Sequence, residues 1–243
     1  MSSGIRLVLV EPSHPGNIGA TARAMKNMGL SELVLVRPKT FPHSEAIARA
    51  SGADDVLARA RVTETVSEAI EGCGFIAATT SRGREQNFRV LNVRDAAPRL
   101  LAETARSPVA VLFGAERTGL TNDELDRAHL LIRIPGNAEY LSLNVAMAAQ
   151  IVAYEIFQAQ GAVEVPPRIG AVPLATPDQM EKLYEHLVRV MEEVEFRDRT
   201  QSGTNLMARI RRFLQRAELD QNEANILRGF LTSVQNRRRQ AGR

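Results

Sequence analysis

The 243-residue chain has one cysteine, no tryptophan, three tyrosines and four histidines. A single thiol, Cys73, excludes an intramolecular disulfide and offers no metal cluster. Its neighbours Gly72 and Gly74 point to a turn before a strand, the setting of a structural thiol rather than a nucleophile. His14, His43, His129 and His186 are scattered, none pairs at ligand spacing, and no metal is expected. No apolar run approaches the length of a membrane span, and the N-terminus lacks a signal-peptide profile. No membrane partner is expected, and a soluble, cytoplasmic protein is the default reading. Lysine is scarce too: 28 of the 31 basic residues are arginine, which suits bidentate phosphate contacts.

What is present is the composition of a folded chain. Hydrophobic residues make up 44% and charged residues 24%, enough for a sizeable core. The net charge of +3 is unevenly spread. Residues 1–167 hold 17 basic and 18 acidic side chains, while 168–243 hold 14 and 10. The basic excess therefore belongs to the C-terminal third.

Short apolar runs at Ile5–Val10, Leu33–Val36, Phe75–Thr80, Val109–Phe113 and Leu130–Ile134 predict five strands. Helical spacing is read at Asn17–Met28, 64–71, 94–105 and Ser142–Gln160. Strands alternating with helices predict an α/β domain with a largely parallel sheet over residues 1–160. Residues 161–177 carry Gly161, Pro166, Pro167, Gly170, Pro173 and Pro177, which is linker composition. Residues 178–243 read as a small, basic, helical extension, with helices at Pro177–Glu195, Thr204–Ala217 and Gln221–Arg239 capped by residues such as Thr176 and Asp220.

Three polar loops fall at strand ends, where open parallel sheets bind ligands. The first, Glu11 to Gly19, leads into a helix carrying Arg23. Its Gly16-x-x-Gly19 is not the dinucleotide fingerprint, and Arg37 stands where an acidic ribose clamp belongs. The second runs from Leu112 to Leu120. Gly114 there would let a ligand approach the backbone, and Glu116 is either a solvated charge or a partner for Arg23 or Asn17. The third is Ile134-Pro135-Gly136 through Ser142-Leu143-Asn144-Val145-Ala146, with Ser142 at the expected N-cap of the following helix.

Taken in this order, Asn17–Arg23, Phe113–Leu120 and Ile134–Ala146 resemble the SPOUT class of RNA methyltransferases, in particular its 2'-O-ribose branch. Asn27-Met28-Gly29-Leu30, Thr79-Thr80-Ser81-Arg82 and the helical extension are similar to the members that modify nucleotide 32 of the tRNA anticodon loop. The resemblance implies an α/β parallel-sheet SPOUT domain with a C-terminal trefoil knot, a homodimer, S-adenosylmethionine as cofactor and tRNA as substrate. It assigns Arg23, Asn17, Glu116, Ser142 and Asn144 to the catalytic set. It sets the cofactor against Thr79, Thr80, Ser81, Gly114, Ile134, Leu141, Ser142 and Leu143, and RNA against Arg82 and Arg84. Arg209, Arg212 and Arg216 recur at helical spacing, as a stripe suited to phosphates.

Arginine is a poor general base at neutral pH, so Arg23 is better suited to holding a phosphate and stabilising charge on the ribose oxygen. Two other classes compete. One is a non-catalytic RNA-binding protein of the same fold, which intact Arg23, Ser142 and Asn144 disfavour. The other is an NADP-dependent reductase using Arg37 for the 2'-phosphate, which the missing glycine fingerprint makes remote.

Overall fold

The computed structural model describes residues 4–81, 88–137, 139–140, 142–162, 172–196 and 206–241. Arg82, Arg84, Leu141 and most of the expected linker lie outside the described residues. In chain order the elements are β1 (Ile5–Val10), α1 (Pro15–Asn27), β2 (Glu32–Val36), α2 (Ser44–Ala50), α3 (Asp54–Ala58), β3 (Arg61–Thr63), α4 (Val66–Ala69), β4 (Phe75–Thr79) and β5 (Val90–Asn92). There follow α5 (Val93–Thr104), β6 (Val109–Phe113), α6 (Asn122–Leu125), β7 (Leu130–Arg133), α7 (Val145–Ala162), α8 (Pro177–Glu193), α9 (Leu206–Ala217) and α10 (Gln221–Ala241).

The seven strands form one sheet in the order β3-β2-β1-β6-β4-β7-β5, and every pairing is parallel. The apolar runs are continuous because both faces are covered. Ile5, Leu7 and Leu9 point into the cluster that Ile18, Met25, Leu100 and Val152 complete. Val8 and Val10 point the other way, against Ile70, Leu112 and Leu125. Two strands escape the sequence reading. β3 (Arg61-Val62-Thr63) and β5 (Val90-Leu91-Asn92) are three-residue sheet edges, too short and too polar to show periodicity.

Two helix starts are also set by residues the pattern does not announce. His14 Nδ1 accepts from Gly16 N at 3.2 Å, and His43 Nδ1 accepts from Glu45 N at 3.1 Å. Both histidines thus serve as N-caps. The expected helix from Ser142 begins three residues late. Asn144, not Ser142, caps α7, its Oδ1 accepting from Ala146 N at 2.9 Å. The reason is that Asn144 alone bonds back to α1, as described below.

The extension has its own core of Met180, Leu183, Tyr184, Leu214 and Leu231. Thr176 and Asp220 are both reciprocal caps, with Gln179 and Glu223 returning the bond. Several groups fasten this unit to the sheet domain. Arg212 pairs with Asp126 at 3.5 Å and lies over the Phe88 ring. Gln215 Nε2 donates to Arg127 O at 3.2 Å, and Arg99 pairs with Glu218. Leu174, just before α8, is buried in the sheet domain's own core.

Candidate active site

The loops after β1, β4, β6 and β7 gather at one end of the sheet, the carboxyl ends of its strands. The loops after β4, β6 and β7 enclose a cleft of about 250 Å³. Seven of the eight expected cofactor residues line it: Thr79, Thr80, Ser81, Gly114, Ile134, Ser142 and Leu143. The eighth, Leu141, lies outside the described residues. Leu120, Leu125, Ile132 and Val145 supply an apolar lining, and Thr118 and Arg117, which sequence reading missed, complete the wall. Thr79 Oγ1 donates to Leu112 O at 3.0 Å, and Thr80 N to Ile132 O at 3.0 Å, so the β4 end is locked to both neighbouring strands.

Gly114 has a task within its own loop. A Cβ there would lie 2.3 Å from Gly119 C and from Leu120 N, both backbone atoms of its own loop. The loop folds back tightly on itself, with Gly119 N donating to Ala115 O at 2.8 Å and Gly119 at φ +69°. Gly114 is therefore required to close the loop, before any ligand arrives.

Glu116 is neither a free charge nor a partner of Arg23. Asn17 Nδ2 donates to it at 2.9 Å, and Ser13 N donates at 3.1 and 3.2 Å. Burial pushes the carboxyl up, but these hydrogen bonds outweigh it and hold Glu116 below the usual carboxylate range. Asn17 Oδ1 in turn accepts from Asn144 Nδ2 at 2.9 Å. A chain of bonds thus runs Ser13–Glu116–Asn17–Asn144–Ala146 N. Its orientation is forced, because an ionised carboxylate only accepts at one end and a helix N–H only donates at the other. The chain ties the loops after β1, β6 and β7 into one unit.

Leu143 lines both the cleft and a neighbouring groove of about 680 Å³ between α1, α2 and α7. Ala20, Ala24 and Met147 line this groove, with Glu45 and Arg49 from α2. Arg23 follows Ala20 by one turn of α1. It is exposed and makes no hydrogen bond or ion pair with a described residue. The structure therefore joins Asn17, Glu116 and Asn144 directly, leaves Ser142 exposed on the cleft, and leaves Arg23 available to something external.

The dinucleotide alternative fails on geometry. Arg37 is held by Glu11 at 2.6 Å and by Glu64 O at 2.6 Å, so its guanidinium is already engaged. Cys73 is buried, with its thiol pushed up to about 11 by burial, as a structural thiol should be. Among the described residues no group of three or more His, Cys, Asp or Glu could hold a metal ion, and no helix is long and apolar enough to cross a membrane.

The model of the SpoU rRNA methylase family matches residues 4–154, which span the sheet and all three loops. The chain belongs to the SpoU methylase family. The C-terminal domain of the tRNA methyltransferase TrmJ matches residues 178–243. The chain is 43% identical over 242 residues to the tRNA (cytidine/uridine-2'-O-)-methyltransferase TrmJ of Yersinia pestis (strain Pestoides F), covering 97% of this chain and 93% of that one. It is 44% identical to the tRNA (cytidine/uridine/adenosine-2'-O-)-methyltransferase TrmJ of Pseudomonas aeruginosa (strain UCBPP-PA14), with 97% and 95% covered. The crystal structure of TrmJ from Z. mobilis ZM4 superposes with a TM-score of 0.82 at 34% identity, covering 95% of this chain and 98% of that one. The SPOUT-type parallel sheet expected from the motifs is therefore present, and the likeness includes the extension.

Proposed function

We propose that this SpoU-family chain transfers a methyl group from S-adenosylmethionine to the ribose 2'-hydroxyl of a tRNA anticodon-loop nucleotide, cytidine or uridine at position 32. The observation that carries the reading is the strand-end cleft. Seven of its lining residues are those the methyltransferase resemblance selected for the cofactor, and the relatives matched over nearly the whole chain are tRNA 2'-O-methyltransferases.

The cleft suits a nucleoside with a charged tail. Leu120, Leu125, Ile132 and Val145 give a purine an apolar seat, while Thr79–Ser81 and Ser142 offer polar atoms at the rim. Its volume lies just under the usual range of about 300–1,000 Å³ for small-molecule sites. When bound, the sulfonium cofactor supplies an already activated methyl group. The protein's tasks are then to fix the ribose oxygen in line and to favour loss of its proton. Glu116, held ionised with its oxygens occupied by Asn17 and Ser13, positions the loops rather than taking that proton. Arg23, exposed on α1, supplies a guanidinium for the adjacent phosphate and for charge developing on the ribose oxygen.

The same reading includes a homodimer and the family's trefoil knot. Helix α7 exposes Met147, Tyr154 and Phe157, with Leu143 beside them. It carries one acidic and no basic residue, a face suited to a second copy of the chain. Light scattering should return about twice the 26.7 kDa chain mass. A fully active monomer would remove the dimer from the proposal. For the knot, β7 lies between β4 and β5, and α7 returns to pack on α1 and α5.

The deciding experiment incubates the full-length protein with cofactor and unmodified tRNA and maps the product by mass spectrometry. Ribose methylation at nucleotide 32 is the expected result. Methylation at another nucleotide would overturn the target. tRNA binding without any methylation would favour the non-catalytic reading.

A further inference from the structure

Helix α9 carries four arginines and no acidic residue, and the structure divides them unequally. Arg211 turns inward, forming a bidentate pair with Glu181 at 2.6 and 2.7 Å and lying 4.3 Å over the Tyr184 ring. Arg212 also turns away from solvent, toward Asp126. The stripe expected from Arg209, Arg212 and Arg216 is thus not the one that exists. Leu214 and Gln215 are buried, and Met207 and Ile210 pack beside them. At 3.6 residues per turn, Arg209, Phe213 and Arg216 fall within about 60° of one another on the opposite side. All three are exposed, Phe213 at 57%.

We infer that Phe213 is a stacking platform for an unpaired base of the RNA substrate, with Arg209 and Arg216 gripping the phosphates on either side. The inference rests on the proposed tRNA reading and names a recognition residue that the reading lacks. One exposed phenylalanine on a helix is ordinary. This one is set apart by its neighbours, because the residues one turn before and after it on that face are both arginine. A protein partner would call for a contiguous apolar patch, whereas an aromatic ring between guanidinium groups matches a base between phosphates. Residues 206–241 hold eight arginines against three acidic residues, a charge balance that suits a polyanion.

The platform is also held against the active-site domain. Arg212, at the flank of α9, and Gln215, on its buried side, bind Asp126 and Arg127, immediately after Leu125 of the cleft wall. Burial pushes Asp126 above its ordinary value despite Arg212, which marks that contact as withdrawn from water. The outer side of the same helix then presents Phe213 in a fixed relation to the cleft.

The test compares full-length wild-type protein with Phe213→Ala, Phe213→Leu and Phe213→Trp. It measures tRNA affinity across a salt series, KM and kcat, cofactor affinity and particle mass. Stacking is worth enough per base that Phe213→Ala should weaken tRNA binding and raise KM about tenfold or more. The salt slope, kcat at saturating tRNA, cofactor affinity and mass should stay unchanged. Phe213→Trp should restore binding, and Phe213→Leu, apolar but without a π face, should not. Arg209→Ala should instead make the salt slope shallower by about one. Unchanged affinity in Phe213→Ala, full rescue by Leu, or a changed mass with tRNA affinity intact would each overturn the platform. If the wild-type protein methylates no tRNA, the proposed function falls. The platform is then judged on oligouridylate, where weaker binding by Ala and Leu with retention by Trp supports it, and equal binding by all four overturns it.

Discussion

Asn144 donates its side-chain amide to Asn17 at 2.9 Å, joining residues 127 positions apart. Each asparagine has a second duty: Asn17 donates to Glu116, and Asn144 caps α7. Positions that motif comparison assigns to catalysis are thus also the fastening of three loops.

This arrangement predicts coupled losses. Asn144→Ala removes an N-cap, at a cost of about 1 kcal/mol. Asn17→Ala leaves Glu116 with fewer donors, at a similar cost. The double variant should fall well short of the sum, because both changes break one chain of bonds. Urea unfolding of the four proteins measures the coupling. Strict additivity would mean that the loops are fastened independently.

Gly114 and Gly119 should respond differently to alanine. The Gly114 Cβ would strike backbone at 2.3 Å, whereas Gly119 has open space and only its φ of +69° to protect. Gly114→Ala should abolish measurable cofactor binding and lower Tm by several degrees. Gly119→Ala should cost about 1 kcal/mol or somewhat more, from the left-handed backbone alone. Calorimetry with S-adenosylmethionine decides, and normal affinity in Gly114→Ala would show that the loop opens without cost.

Arg23 has no protein partner among the described residues that its loss would disturb. Arg23→Ala should therefore keep wild-type Tm and cofactor affinity while methyl transfer falls by several orders of magnitude. Arg23→Lys should recover little, since an ammonium lacks the planar fork that holds two oxygens. Near-normal single-turnover rates in the Ala variant would remove Arg23 from the chemistry.

His129 gives the fold an acid limit. It is fully buried, stacked on Phe75 at 5.0 Å, and accepts from Ile76 N at 3.1 Å. Burial lowers it to about 4 from an ordinary 6.5. Between those values the unfolded chain binds the extra proton, so stability is complete above 6.5 and is lost as pH falls toward 4. The loss approaches about 3 kcal/mol. His129→Asn keeps an acceptor for Ile76 N and should flatten the pH dependence of urea unfolding across that window. An equally steep profile in the variant would place the acid sensitivity elsewhere.

Sequence alone determined the main strands, the longer helices and the strand-end loops, because apolar periodicity and turn residues are local signals; the short α2, α3 and α6 were not legible in it. β1 and β6 match their predicted limits, and the cleft is lined by residues whose motifs were legible before folding. Tertiary structure decided what depends on distant partners. β3 and β5 become strands only by pairing at the sheet edges. Ser142 looks fit to cap α7 on paper; in the fold Asn144, bonded to Asn17 from the other end of the domain, does so instead. Arginine spacing on α9 gave a stripe, but Asp126 withdrew Arg212 from it and left Phe213 facing solvent between Arg209 and Arg216. A helical pattern records which residues share a face. Which face is covered is settled by what packs against it.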